Sequence, residues 1–187
     1  MLLKPEESIV IMVDIQEKLM PVMHRGDSVI QSAEALLQAA TLLNIPVMTT
    51  EHYPDKIGAT VIPLQPYRGT IITKKTFSAA KEPLFVQTLA EISQKANRHQ
   101  LIVIGVESHI CVLQTLIELE KTGQYHCHLV VDATSSRKVS DKTIALERVK
   151  EAGISLITTE MAIFEWAESG EHPHFRVLSK LIKNLSD

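Results

Sequence analysis

Residues 101–122, LIVIGVESHICVLQTLIELEKT, carry the reading that decides the fold. The run opens with apolar, largely β-branched residues and reaches Gly105, the pattern of a short strand buried on both faces. Polar Glu107, Ser108 and His109 then break the run, and apolar positions recur at helical spacing until Gly123 stops them. A buried strand that passes directly into a helix is one unit of a parallel sheet with helical crossovers.

The same unit recurs on either side of that stretch. Strand-length apolar runs lie at 9–13, 46–50, 70–73, 101–105, 127–131 and 154–157, and helical periodicity fills 27–43, 83–95, 108–122, 140–152, 160–166 and 173–184. Asp27 and Ser108 suit helix caps, Pro83 a helix start, and Asn44, Gly123 and Gly153 stops. The alternation predicts an α/β chain: a three-layer α/β/α fold around a central, mainly parallel six-stranded sheet, with residues 1–187 in a single domain. Residues 51–69 hold three prolines and two glycines without periodicity, so a long surface excursion is expected there, of the kind that often lines binding sites.

Composition narrows the function classes. Apolar residues make up 45% of the chain and charged residues 22%, the usage of a folded globular protein. The net charge is -3 and the 19 Lys and Arg are scattered, so no basic stripe is expected to track a nucleic acid backbone. No apolar run approaches a membrane span, and the N-terminal MLLKPEES does not read as a signal peptide. Two cysteines, Cys111 and Cys127, are too few for a disulfide framework and fit free thiols in a cytoplasmic protein.

Ligands of open parallel sheets bind at the carboxyl ends of the strands. The residues just beyond those ends are Asp14 and Gln16; Glu51, His52 and Tyr53; Lys74 and Lys75; 106–111; and 132–137. Cys111 falls in the first turn of the helix that Ser108 opens, where the macrodipole favours a thiolate. Asp14 ends the apolar run SIVIMVD, where a carboxylate aimed into a cleft serves as an acid or base. A thiol needs a base or a neighbouring cation to react at neutral pH, and Asp14 and one of Lys74 and Lys75 supply them. Adjacent residues of an extended chain point to opposite faces, so only one lysine faces the cleft. The pairs His126/His128 and His172/His174 lack a second matching pair, so metal is not expected.

These residues in this order resemble the Asp, Lys, Cys set of isochorismatase-like hydrolases, a superfamily that includes nicotinamidases and several small-molecule amidohydrolases. The likeness runs through VDIQ at 13–16, TEHYP at 50–54, KKTFS at 74–78, GVESHIC at 105–111, DATSSR at 132–137 and ALER at 145–148. The last two strings are similar to the branch of the isochorismatase domain-containing proteins. The family pattern K-x-x-[FY]-S selects Lys74 over Lys75.

The resemblance implies the isochorismatase-like, Rossmann-like topology and a hydrolase with Asp14, Lys74 and Cys111 as catalytic residues. It implies a cis peptide between Val106 and Glu107 in the loop that turns backbone N–H groups, including that of Cys111, toward an oxyanion. Gln16, Glu51, His52, Tyr53, Phe77, Ser108 and His109 are the candidate pocket residues. The nicotinamidase metal pattern, Asp-x-His with a further histidine, is missing around Glu51, His52 and Tyr53, so no cofactor and no metal are implied. The implied substrate is a small molecule carrying an amide, ureide or related C–N bond, with no nucleic acid and no membrane as partner. The apolar character of 108–122, together with relatives that associate, points to a homo-oligomer. The alternative is a protein that keeps these residues but serves in binding or as a scaffold.

Overall fold

The computed structural model describes residues 1–185; the last two positions of the expected 1–187 span, Ser186 and Asp187, lie outside the described residues. Six strands, β1 (Ser8–Val13), β2 (Val47–His52), β3 (Thr70–Lys74), β4 (Gln100–Val106), β5 (His126–Ser135) and β6 (Ser155–Ile157), form one sheet in the order β3-β2-β1-β4-β5-β6. Every neighbouring pair is parallel. The chain winds one way from β1 through β3, then returns to lay β4 against the other side of β1. That reversal opens a crevice at the carboxyl ends of β1 and β4, where Asp14 and the 106–111 turn emerge.

Helices α1 (Gly26–Leu42), α2 (Pro54–Ile57), α3 (Pro83–Ala96), α4 (Leu113–Glu120), α5 (Val139–Glu151), α6 (Thr159–Ala167) and α7 (Phe175–Lys183) cover the two faces. Side chains alternate along each strand, so Val10, Met12, Ile102 and Ile104 pack against Leu36 of α1, Trp166 of α6 and Leu178 of α7. Ile9, Ile11, Leu101 and Val103 pack on the other face against Phe85 of α3, Leu116 of α4 and Val149 of α5. Each large apolar side chain fully buried in this way contributes about 1.5–3 kcal/mol.

Local chemistry explains where the elements end. Asp14 closes β1 in the left-handed region at φ 52, which a short polar side chain tolerates better than a branched one. Gly105 sits opposite Val13 with φ 134, and a Cβ there would lie 2.1 Å from the Val13 carbonyl oxygen. Only glycine lets β4 approach β1 this closely, at the level where the crevice begins.

Three expectations about helix starts change. The helix expected over 108–122 opens with a π-helical turn, Ser108–Val112, before α4 begins at Leu113. The Val112 N–H reaches back to the Glu107 carbonyl at 3.3 Å, which widens the turn carrying Cys111. Ser108 does not cap this helix: its hydroxyl lies 3.1 Å from that of Thr134 in β5. Asp27 does not cap α1 either; Arg25 holds that place at φ 53, and Asp27 lies in the first turn, where its charge still faces the helix dipole.

The 51–69 stretch is less irregular than its composition implied. β2 runs to His52, α2 follows, and a 3-10 helix spans Ile62–Tyr67. Val61 and Leu64 are buried in the core that includes α1, so the excursion is packed onto the face away from Cys111.

Candidate active site

At the carboxyl end of the sheet β1, β2, β3 and the turn after β4 each contribute one side chain to a buried polar cluster. Asp14 Oδ2 lies 2.6 Å from Lys74 Nζ, and neither side chain is exposed. Asp14 Oδ1 accepts a 2.7 Å hydrogen bond from the Thr50 hydroxyl. The Lys74 ammonium donates to the carbonyls of Thr76 at 3.1 Å and Phe77 at 3.0 Å. The Cys111 thiol lies beside both charges, near enough for Asp14 and Lys74 to act on its titration, and Cys111 keeps 7% of its surface exposed. Strand alternation explains the convergence: Lys74 lies on the face of Ile72 and Met48, where Cys111 also packs, while Lys75 is exposed.

The electrostatics correct the thiolate expected at a helix start. Burial and the neighbouring Asp14 carboxylate together push the Cys111 thiol up to about 12, against the opposing pull of Lys74. Burial thus favours the protonated sulfur. Burial also raises the Asp14 carboxyl above its ordinary range, while Lys74, Thr50 and Cys111 pull it back. A carboxylate raised in this way is a stronger base than a solvated one, and it sits beside the thiol proton.

The isochorismatase domain family matches residues 8–161. The chain belongs to the isochorismatase family. Isochorismatase domain-containing protein 2 of Danio rerio is 33% identical, with 98% of this chain and 91% of that protein aligned. Isochorismatase domain-containing protein 1 of the same fish is 34% identical over 97% of this chain, which spans only 62% of that longer relative. Among solved structures, the MAR1 ribonuclease of Caenorhabditis elegans is 33% identical with a TM-score of 0.91, covering 100% of this chain and 95% of that one. The ycaC gene product of Escherichia coli, described as an octameric hydrolase of unknown specificity, shares the fold at 20% identity with a TM-score of 0.84, covering 99% and 98%. The three-layer architecture is thus the isochorismatase-like hydrolase fold.

Around the cluster of this isochorismatase-family chain, the remaining candidates divide. The Val106–Glu107 peptide is cis. His52, Tyr53 and Phe77 stand together beside Lys74: the His52 ring meets Tyr53 edge-on at 4.8 Å and Phe77 at 5.6 Å. Phe77 is 55% exposed and Tyr53 36%, so these rings form an open aromatic rim. Burial and the Lys74 charge lower the His52 pKa, which keeps the imidazole neutral.

Gln16 and Glu51 do not reach the cluster as free pocket groups. The Gln16 amide donates to the carbonyls of His52 and Gly58 and accepts from the His52 N–H, so its polar atoms are spent on backbone. Glu51 points to the opposite face, where it accepts from the Thr60 N–H at 2.9 Å and hydroxyl at 2.7 Å. Both pin the 51–69 excursion to the sheet. Glu107 accepts from the Arg137 backbone and guanidinium, Ser108 is held by Thr134, and His109 Nδ1 lies 2.9 Å from the Ser136 hydroxyl. These three fasten the Cys111 turn to β5 and the start of α5.

Sequence reasoning missed Thr50 and Thr76. Thr50 ends a strand run, a visible signal, but Thr76 acts through its carbonyl, which no residue type encodes. A cavity of about 700 Å³ lies against α6 between Leu3, Met161 and Phe164 and holds no residue of the cluster. Chemistry, not volume, singles out the thiol. Among the described residues, no three His, Cys, Asp or Glu side chains come together to hold a metal ion.

Proposed function

We propose that the chain is a cysteine-dependent hydrolase that cleaves a small amide, ureide or related C–N bond through a covalent Cys111 intermediate. The observation that carries this reading is the Cys111 thiol set beside a buried carboxylate and ammonium paired at 2.6 Å, where burial pushes both the thiol and the carboxyl up. Asp14 takes the thiol proton as sulfur attacks the carbonyl carbon, and the Cys111 backbone N–H is assigned to the resulting oxyanion. The tetrahedral centre collapses, Asp14 hands the proton to the departing amine, and a thioester remains. Water then attacks, giving a proton to Asp14, which returns it to the leaving sulfur. Lys74 is saturated by Asp14 and two carbonyls, so it stabilises the cluster and is not free to clamp a substrate carboxylate.

The aromatic rim and neutral His52 favour an uncharged, planar substrate. An octameric neighbour of the same fold supports a homo-oligomer, and two unpaired cysteines suit a reducing, cytoplasmic setting.

A panel of amides, ureides and nitriles tests the reading, with adducts sought by intact mass. The turnover of any substrate found should climb with pH through a carboxyl pKa above the ordinary 3.8, because Asp14 must be ionised. Above that midpoint it should stay level, since Cys111 keeps its proton until about 12. A midpoint near that of an ordinary thiol would refute the carboxylate as base. The nematode relative is named a ribonuclease, so an RNA oligonucleotide belongs in the panel. Cys111-dependent RNA cleavage without a mass adduct would overturn the acyl mechanism. A binding or scaffold role is the second reading; a Cys111 that forms no adduct with any panel member supports it.

A further inference from the structure

We propose that Glu82 is a positioning residue for Lys74, holding in place the loop whose carbonyl oxygens grip the ammonium. The inference rests on the proposed roles of Asp14, Lys74 and Cys111, and it concerns a side chain outside their cluster. Glu82 occupies the N-cap of α3, where a side chain ordinarily accepts from the first helical N–H groups, yet it makes no such bond. It turns back instead. Its Oε1 accepts from the Lys75 N–H at 3.0 Å, the Thr76 N–H at 3.1 Å and the Thr76 hydroxyl at 2.9 Å.

Two successive backbone N–H groups aimed at one carboxylate oxygen form a small anion nest, and they hold this carboxyl below its ordinary range. The single proton of the Thr76 hydroxyl is shared between Glu82 and the Ser78 carbonyl, 2.7 Å away, while the Thr76 N–H stays on Glu82, so one residue ties the loop at both sides. That loop supplies the Thr76 and Phe77 carbonyls that hold Lys74 Nζ. With the ammonium fixed on those carbonyls, Nζ is held 2.6 Å from Asp14 Oδ2 as the cationic half of the ion pair. Glu82 thus acts on the cluster through backbone, without touching it. The helix forgoes a cap, and the loop gains a clamp.

The test uses the full chain in a Cys127→Ala background and follows acrylamide addition to Cys111 by intact mass across pH, beside thermal midpoints. Acrylamide adds to a thiol without an acyl step, so this readout stands even if amide hydrolysis fails. Glu82→Ala should slow addition by about 10- to 100-fold at neutral pH. It should also move the pH profile of addition upward, because an ammonium that drifts from the sulfur no longer opposes burial. Glu82→Gln keeps an acceptor oxygen in the nest and should recover most of that loss. Thr76→Val, which removes only the hydroxyl arm, should show a smaller loss in the same direction if Glu82→Ala does not fold. An unmoved pH profile in the folded Ala or Val variant would overturn the proposal. So would a Gln variant as slow as Ala.

Discussion

Cys111→Ala is expected to lower kcat for the best amide of the panel by on the order of 10⁴-fold or more, the scale on which removing a nucleophile acts. The reason is specific to this site. Asp14 and Lys74 would remain, but a buried carboxylate whose oxygens are held by Lys74 and Thr50, and an ammonium without a lone pair, leave no free nucleophile. Cys111→Ser should recover little, because a hydroxyl holds its proton far more tightly than a thiol and Asp14 remains a carboxylate base. Cys127→Ala should leave kcat close to wild type: Cys127 pairs with Leu101 at the amino end of the sheet, whereas Cys111 follows the carboxyl end of β4. Steady-state kinetics on the three variants, with intact mass after quenching, gives the comparison. An alanine variant within tenfold of wild type would end the covalent reading, and the activity would then belong to another group.

The architecture was legible because the strands are buried on both faces. Runs such as 9–13 and 101–105 have no polar alternation, and such strands occur where helices cover both sides. Helix ends followed from local chemistry where one residue decides them, as at Pro83, Asn44 and Gly153. They were misread where a side chain had a better offer from distant backbone or side chains. Ser108 has the cap residue type, but Thr134, 26 positions away, takes its hydroxyl, and the turn it opens is wider than an α-helix. No periodicity rule contains that partner.

The cluster was legible for a different reason. Asp14, Lys74 and Cys111 each lie at or beyond the carboxyl end of a strand, and the order of a doubly wound sheet carries such positions to one rim. Gln16 and Glu51 follow strands as well, so position alone could not separate them. Alternation sends Glu51 to the far face, and the Gln16 amide is absorbed by the backbone of His52 and Gly58. The charge state of the thiol was not legible, because helix position and a nearby lysine say nothing of burial. In the folded chain desolvation is the largest cause, and it acts in the opposite direction.

The same burial yields the largest expected effect on stability. Lys74→Met should destabilise the fold by about 3–5 kcal/mol, because it leaves the Asp14 carboxylate buried without its counter-charge. The sign follows from the Asp14 shift. Its folded pKa lies above its unfolded value, so the native state binds more protons between the two, and stability falls as pH rises through that window. Holding the carboxylate ionised above that window costs the fold, and Lys74 offsets part of that cost. Removing both charges together in Asp14→Asn/Lys74→Met should therefore bring stability back to wild type or above it, by up to about 4 kcal/mol. The double variant keeps the side-chain volumes and the Thr50 hydrogen bond to an amide oxygen, yet it has no base for the thiol and should be inactive. Urea denaturation at neutral pH separates these cases. If the single and double variants unfold at the same midpoint, the ion pair is not what balances Asp14, and the cluster must be held by packing alone.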